Sequence, residues 1–245
     1  MTTPQGKIRT RWVSFSGIDG AGKSTQIENL RAAAEQAGLK VRVIRFWDDV
    51  SRLKGVRESS GHKLFKGDIG IGSPEKPINR RDKNVRSWPM TCVRLLLYSV
   101  DAVSTRLAAA KALASGADFV IFDRYLYDEL ANLNLANPLM RGFARLLMKL
   151  APRPDVSYIL DADPEAARAR KPEYPVDFLH VNRKAYLELS RMIGGMTVIP
   201  PLDIAAAKRE VLCHALDLLS GSGRGSGRAS DQASGIYSTQ PAPFD

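Results

Sequence analysis

One short segment limits what this chain can fold into more than any other. Gly17-Ile18-Asp19-Gly20-Ala21-Gly22-Lys23-Ser24 fits G-x-x-x-x-G-K-[ST] at every fixed position. It follows a strand-like run at residues 12–16. It opens an amphipathic pattern over residues 24–36, in which Ile27, Leu30 and Ala34 share a face. Glycines at 17, 20 and 22 let the backbone turn with its N–H groups pointing inward, an arrangement that cradles phosphate oxygens. The helix that follows aims the positive end of its dipole at the same place. A lysine at 23 would reach β- and γ-phosphates, and the Ser24 hydroxyl would ligate Mg²⁺. The bland alternative is a glycine-rich turn that binds nothing. The chemistry points instead to ATP and Mg²⁺, with Gly17, Asp19, Gly20, Ala21, Gly22, Lys23, Ser24 and Thr25 as the binding positions.

The rest of the folded part alternates strand and helix. Strands are expected at 12–16, 40–46, 119–122, 156–160 and 197–199. Helices are expected at 24–36, 88–114, 139–150, 176–192 and 205–219. Residues 47–87, rich in Gly, Pro and charge, read as mostly irregular. Asp163-Pro164-Glu165 reads as N-cap, first-turn proline and first-turn acid of a further helix. Alternation of this kind implies a parallel sheet covered on both faces. Residues 220–235 hold Gly or Ser at 10 of 16 positions, too little apolar surface to offset ordering of the backbone. The organisation expected is an N-terminal extension at 1–10, one domain at 11–219 and a disordered tail at 220–245.

Composition excludes several classes. Apolar residues make up 44% and charged residues 25% of the 245 residues, ordinary for a globular protein. The apolar runs are too short to cross a bilayer, and residues 1–11 lack the apolar centre of a signal peptide. Cys92 and Cys213 lie far apart in sequence, and His62, His180 and His214 show no metal-ligand spacing. Free thiols and a cytoplasmic location are therefore expected. The net charge is +10, and residues 52–94 carry 11 Lys/Arg against 4 Asp/Glu. Such a stretch attracts an anion, or is simply a solvated basic surface.

Asp123-Arg124-Tyr125 follows the apolar run 119–122. A carboxylate at the end of a buried strand would lie beside the phosphate loop and could hold Mg²⁺ through water, or merely cap the next helix. Arg124 offers a planar fork for a phosphate. With the loop, Gln26, Arg45-Phe46, Leu95-Leu96-Leu97-Tyr98, Asp123-Arg124-Tyr125 and Asp161-Ala162-Asp163-Pro164-Glu165 in that order, most of residues 11–218 resembles the thymidylate kinase (dTMP kinase) family of P-loop nucleoside monophosphate kinases. Residues 47–87 do not share the likeness.

The resemblance implies a three-layer α/β/α P-loop NTPase fold with a central parallel sheet and a short lid at about 164–175. It implies transfer of the γ-phosphoryl group of ATP to a nucleoside monophosphate, dTMP giving dTDP. Asp19 would hold the acceptor's 3′-hydroxyl, Arg45 and Arg124 its phosphate, and Tyr98 its base. Some family members carry an arginine in the phosphate loop where this chain has Gly20. The catalytic cation would then come from the lid, from Arg168 or Arg170 with Lys171 in reserve. An exposed basic helix end is the alternative for those residues. The catalytic set expected is Lys23, Arg124, Arg168 and Arg170, with Ser24 and Asp123 for the metal.

The chain departs from the family pattern where the base is read. Ser16 stands in place of a glutamate, Ala102 of an arginine, Asp128 of a serine and Leu133 of a glutamine. Arg94, Tyr98 and Asp101 share one helix face, as a rebuilt polar pocket or a salt-bridged surface. Asp128 near the base would favour one that presents an amino group. A kinase with another phosphorylated acceptor, and an ATP-sensing nucleic-acid-binding protein, are the rival readings. Only Phe65 and Trp88 offer aromatic platforms in the basic stretch, so no stable nucleic-acid partner is expected. No membrane partner is expected either, while a homodimer is compatible with the sequence.

Overall fold

The computed structural model describes residues 9–50 and 88–219. Most of the basic stretch, nearly all of the N-terminal extension and the tail at 220–245 lie outside these residues. Five parallel strands form one sheet in the order β2-β3-β1-β4-β5. They are β1 (Arg11–Ser16), β2 (Val41–Arg45), β3 (Phe119–Asp123), β4 (Val156–Leu160) and β5 (Thr197–Ile199). The helices in chain order are α1 (Lys23–Gln36), α2 (Trp88–Ala114), α3 (Leu126–Leu130), α4 (Pro138–Leu150), α5 (Pro164–Arg170), α6 (Val176–Ile193) and α7 (Ile204–Leu219). This is the α/β parallel architecture expected from the alternating pattern.

Strand β3 shows why both faces of the sheet are covered. All four residues of its apolar run are buried, and successive side chains point to opposite faces. Phe119 and Ile121 join Val13, Phe15, Tyr158 and Leu160 in a core under α1 and α7. Val120 and Phe122 join Ile44 and Ile159 in the larger core under α2, α4 and α6. A strand buried on both sides reads as a continuous apolar run instead of an alternating one.

Helix ends follow local chemistry. Asp163 caps α5, accepting a hydrogen bond from the Ala166 N–H at 2.9 Å, with Pro164 in the first turn. Asn137 caps α4 in the same way through the Leu139 N–H at 2.9 Å. Two elements differ from the expectation. Residues Phe46–Val50 form a short π-helical turn, where the last strand residue at 46 and irregular chain from 47 were expected. Helix α3 has too few residues for a periodic pattern; it starts because Asp128, in its first turn, accepts the Tyr125 N–H at 3.2 Å.

The parallel order puts the carboxyl ends of β1, β2 and β3 together. Phe15 lies opposite Asp123, and Arg45 opposite Asp123 on the other side. Residues 17–24, 45 and 123–124 therefore meet at one edge, outside the strand ends, where ligands bind in open α/β sheets.

Packing of α4 sets the stability of the larger core. Leu147 is 1% exposed in that core, while its neighbour Leu146 is 53% exposed. Leu147→Ala is expected to lower the unfolding free energy by about 2–5 kcal/mol. Leu146→Ala should change it by no more than about 0.5 kcal/mol. Urea titrations of both variants check the contrast, and equal effects would place the two residues wrongly.

Candidate functional site

The loop between β1 and α1 is built on glycines that admit no side chain. Gly17, at φ +141°, runs so close to β4 that a Cβ would collide with the Leu160 carbonyl. Gly20, at φ +83°, lies directly beneath α5, where a Cβ would collide with the Ala167 carbonyl. Helix α5 thus packs on the bare backbone of the loop.

Lys23 opens α1, buried at 7% exposure. Its ammonium donates to the Gly17 carbonyl at 2.9 Å and the Ile18 carbonyl at 2.8 Å, inside the curve of the loop. Burial, and after it the charge of Arg124, push its pKa down to about 8, against the pull of Asp19, Asp128 and Asp123. Ser24 and Thr25 are exposed in the first turn of α1. Ala21 and Gly22 are partly exposed beside them.

Arg124 is the second fixed cation. It is left-handed at φ +66°, a conformation that costs an L-residue about 1–2 kcal/mol. Its N–H donates to the Phe15 carbonyl at 3.0 Å, which ties the turn to β1. Its guanidinium makes a short ion pair with Asp19 of the loop and a second pair with Asp128 at 3.1 Å. Burial opposes its charge, but Asp128 and Asp19 outweigh burial and raise its pKa, so it stays protonated. Burial would likewise raise the Asp19 carboxyl, yet Arg124, Lys23 and Lys171 hold it below its usual value.

Asp128 is buried, with 2% of its side chain exposed. One carboxylate oxygen accepts from Arg124 and from the Tyr186 hydroxyl at 2.8 Å. The other accepts from the Ser16 hydroxyl at 2.6 Å and the Tyr125 N–H at 3.2 Å. Burial, then Asp128, raise the Tyr186 pKa well above its ordinary value, so this phenol keeps the proton that it donates.

The C-terminal end of α5 meets the loop. Arg170 Nε donates to the Gly20 carbonyl at 2.8 Å, and Lys171 lies 3.8 Å from Asp19. Arg168 is half-buried, two positions earlier and so on another side of α5. Arg183 of α6 holds Asp161 at the end of β4 in a fork of 2.6 and 2.7 Å. The remaining expected positions are spread out. Arg45 is exposed at the end of β2, beside Asp123. Tyr98 and Asp101 are buried and Arg94 is half-buried, so this face of α2 turns inward. Asp123 does not cap α3, whose N-cap is Tyr125.

No protein-family model matches the chain. Thymidylate kinase of Bifidobacterium longum is 29% identical over 189 residues, 73% of this chain and 83% of that protein. The probable thymidylate kinase of Archaeoglobus fulgidus is 28% identical over 183 residues, 72% of this chain and 80% of the relative. That of Pyrobaculum aerophilum is 26% identical over 222 residues, 85% and 95% of the two chains. Over most of its length the chain is similar to thymidylate kinases.

Its departures from the thymidylate kinase pattern now have a physical account. Ser16 and Asp128, which stand where the pattern has glutamate and serine, touch each other. In this chain the hydroxyl is on β1 and the carboxylate on α3. The expectation that Asp128 reads a base is corrected, because four donors fill its acceptor positions. Ala102 and Leu133 are buried in the larger core. Gly20 and Arg170 form a second linked pair. A side chain at 20 would displace α5, and Arg170 brings a guanidinium to the same loop. The sequence reading missed the roles of Ser16, Tyr186 and Arg183. Only the Ser16 departure hinted at any of them.

The depressed Lys23 pKa gives stability a pH dependence of definite sign. Between pH 8 and the ordinary lysine value of 10.5, the unfolded chain binds the proton that the folded chain has released. Stability therefore gains with rising pH across this window, and below pH 8 the buried charge weakens the fold. Lys23→Met is expected to be the more stable protein at pH 7, with the difference shrinking toward pH 10. Urea titrations of both proteins at several pH values read it; a difference that ignores pH would contradict the assignment.

Proposed function

We propose that this protein transfers the γ-phosphoryl group of ATP to a nucleoside monophosphate, dTMP giving dTDP, in one kinase domain at 11–219 with residues 164–175 as its lid. The single observation that carries the reading is the grouping of fixed cations at one loop. Lys23 lies inside the loop, Arg124 is clamped to Asp19 at its edge, and Arg170 is bonded to Gly20 above it. Phosphoryl transfer needs positioning and charge neutralisation more than covalent chemistry, and this arrangement supplies both. The relatives' names give the acceptor.

The loop N–H groups and the start of α1 bind the donor phosphates. Lys23 leaves its carbonyl partners for phosphate oxygens, whose charge outweighs the burial that depresses its pKa. Arg124 presents its fork to the acceptor phosphate, and Arg45 joins it from the end of β2. Asp19 sits between Arg124 and Lys171 and orients both. Arg170 closes from the lid and neutralises charge that develops on the transferring group. The acceptor phosphate oxygen is already ionised, so no general base is required.

Mg²⁺ fits the donors present. Ser24 and Asp123 offer one hydroxyl and one carboxylate, hard oxygens suited to an ion held mainly by phosphates and water. No group of three or more His, Cys, Asp or Glu that could hold a metal ion occurs among the described residues. When bound, the ion would shield phosphate charge. No helix among the described residues is long and apolar enough to cross a membrane.

The test is ADP release with ATP across the nucleoside monophosphates. Lys23→Ala should lower kcat by about a hundredfold or more, and a variant that keeps a tenth of parent turnover would remove the loop from catalysis. Arg124→Ala should raise the acceptor KM more than the ATP KM. Equal losses would move Arg124 to the donor side.

A further inference from the structure

The structure assigns to Asp128 a role that the loop motif and the Asp123-Arg124-Tyr125 turn do not contain: we infer that it is the positioning residue for Arg124. This rests on the kinase reading above, in which Arg124 faces the acceptor phosphate. A guanidinium beside Asp19 alone would be free to turn both of its nitrogens onto that carboxylate, in the fork geometry that arginine prefers. Asp128 prevents this. It holds Nη1 at 3.1 Å while Nη2 pairs with Asp19, so the plane of the guanidinium is spanned between two carboxylates. Bridged in this way, the guanidinium plane is fixed while three of its five N–H donors remain for an acceptor phosphate.

Asp128 can do this because it is itself immobile. It is buried, with two donors on each oxygen. A buried carboxylate persists only when paired and hydrogen-bonded, and such a group loses its place when a partner is removed. The donors come from three parts of the fold. Ser16 ends β1 just before the loop, Tyr125 starts α3, and Tyr186 lies on α6, the helix that follows the lid. Asp128 thus registers the acceptor-side arginine against the phosphate loop and against the element that follows the lid.

The experiment is acceptor and ATP kinetics of the full chain and of Asp128→Asn, with dTMP and the other nucleoside monophosphates, each protein checked by melting temperature. The acceptor KM of Asp128→Asn should rise about tenfold, equivalent to about 1.4 kcal/mol, with the ATP KM nearly unchanged. Ser16→Glu placed in an Asp128→Ser background returns the carboxylate from the other side of the 2.6 Å contact. It should recover most of the acceptor KM lost in Asp128→Ser. Tyr186→Phe, which only removes one hydroxyl, should raise the acceptor KM about threefold, and it carries the test should the Asp128 variants not fold. A parent that uses no monophosphate overturns the kinase reading and this role with it. An active parent with an unshifted acceptor KM in the folded variants overturns the positioning role alone. So does an equal rise in the two KM values, or a folded exchange variant no better than Asp128→Ser.

Discussion

The site depends on one arginine held between two acids. Arg124 occupies a left-handed turn directly after β3, is tied to β1 through its N–H, and spans Asp19 of the loop and Asp128 of α3. The conformational cost of that turn is offset by charge pairing in a partly buried setting, where attraction is less screened than in water. Remove the pairing and little would hold the guanidinium beside the loop. Lys23, on the other side of Asp19, is the one member of the group whose charge is made less favourable by its surroundings. Phosphates would reverse that imbalance, so the site is best satisfied when it carries anions.

Two further contacts extend the same logic. A helix packed on Gly20 leaves no room for a side chain there, and Arg170 of α5 brings a guanidinium to the loop. The Asp128 carboxylate on α3 meets the Ser16 hydroxyl at the end of β1 and lies next to Arg124. In each case contacts within the chain place charge beside the loop.

Much of the fold was legible in the sequence because its signals are local. The loop is contiguous, the buried run 119–122 is unbroken, and Asp163-Pro164 marks a helix start without reference to anything distant. Sheet order was not legible, since it depends on which strand ends come together. Nor was the Asp128 network, whose partners lie 112, 4, 3 and 58 positions away. Periodicity placed Arg94, Tyr98 and Asp101 on one face but could not say that the face turns inward. Sequence spacing ruled out Arg168 and Arg170 acting on one side of α5. Only the packing of α5 over Gly20 placed Arg170 at the loop. Residues 51–87, where most of the positive charge excess lies, are outside the described structure.

The most direct measurement follows the phosphoryl group itself. ATP labelled at the γ-phosphorus, incubated with the full chain, Mg²⁺ and dTMP, should give label in dTDP in step with ADP formed. Label that appears only as inorganic phosphate, at a rate indifferent to any nucleoside monophosphate, would show that these cations serve hydrolysis, and would contradict the account.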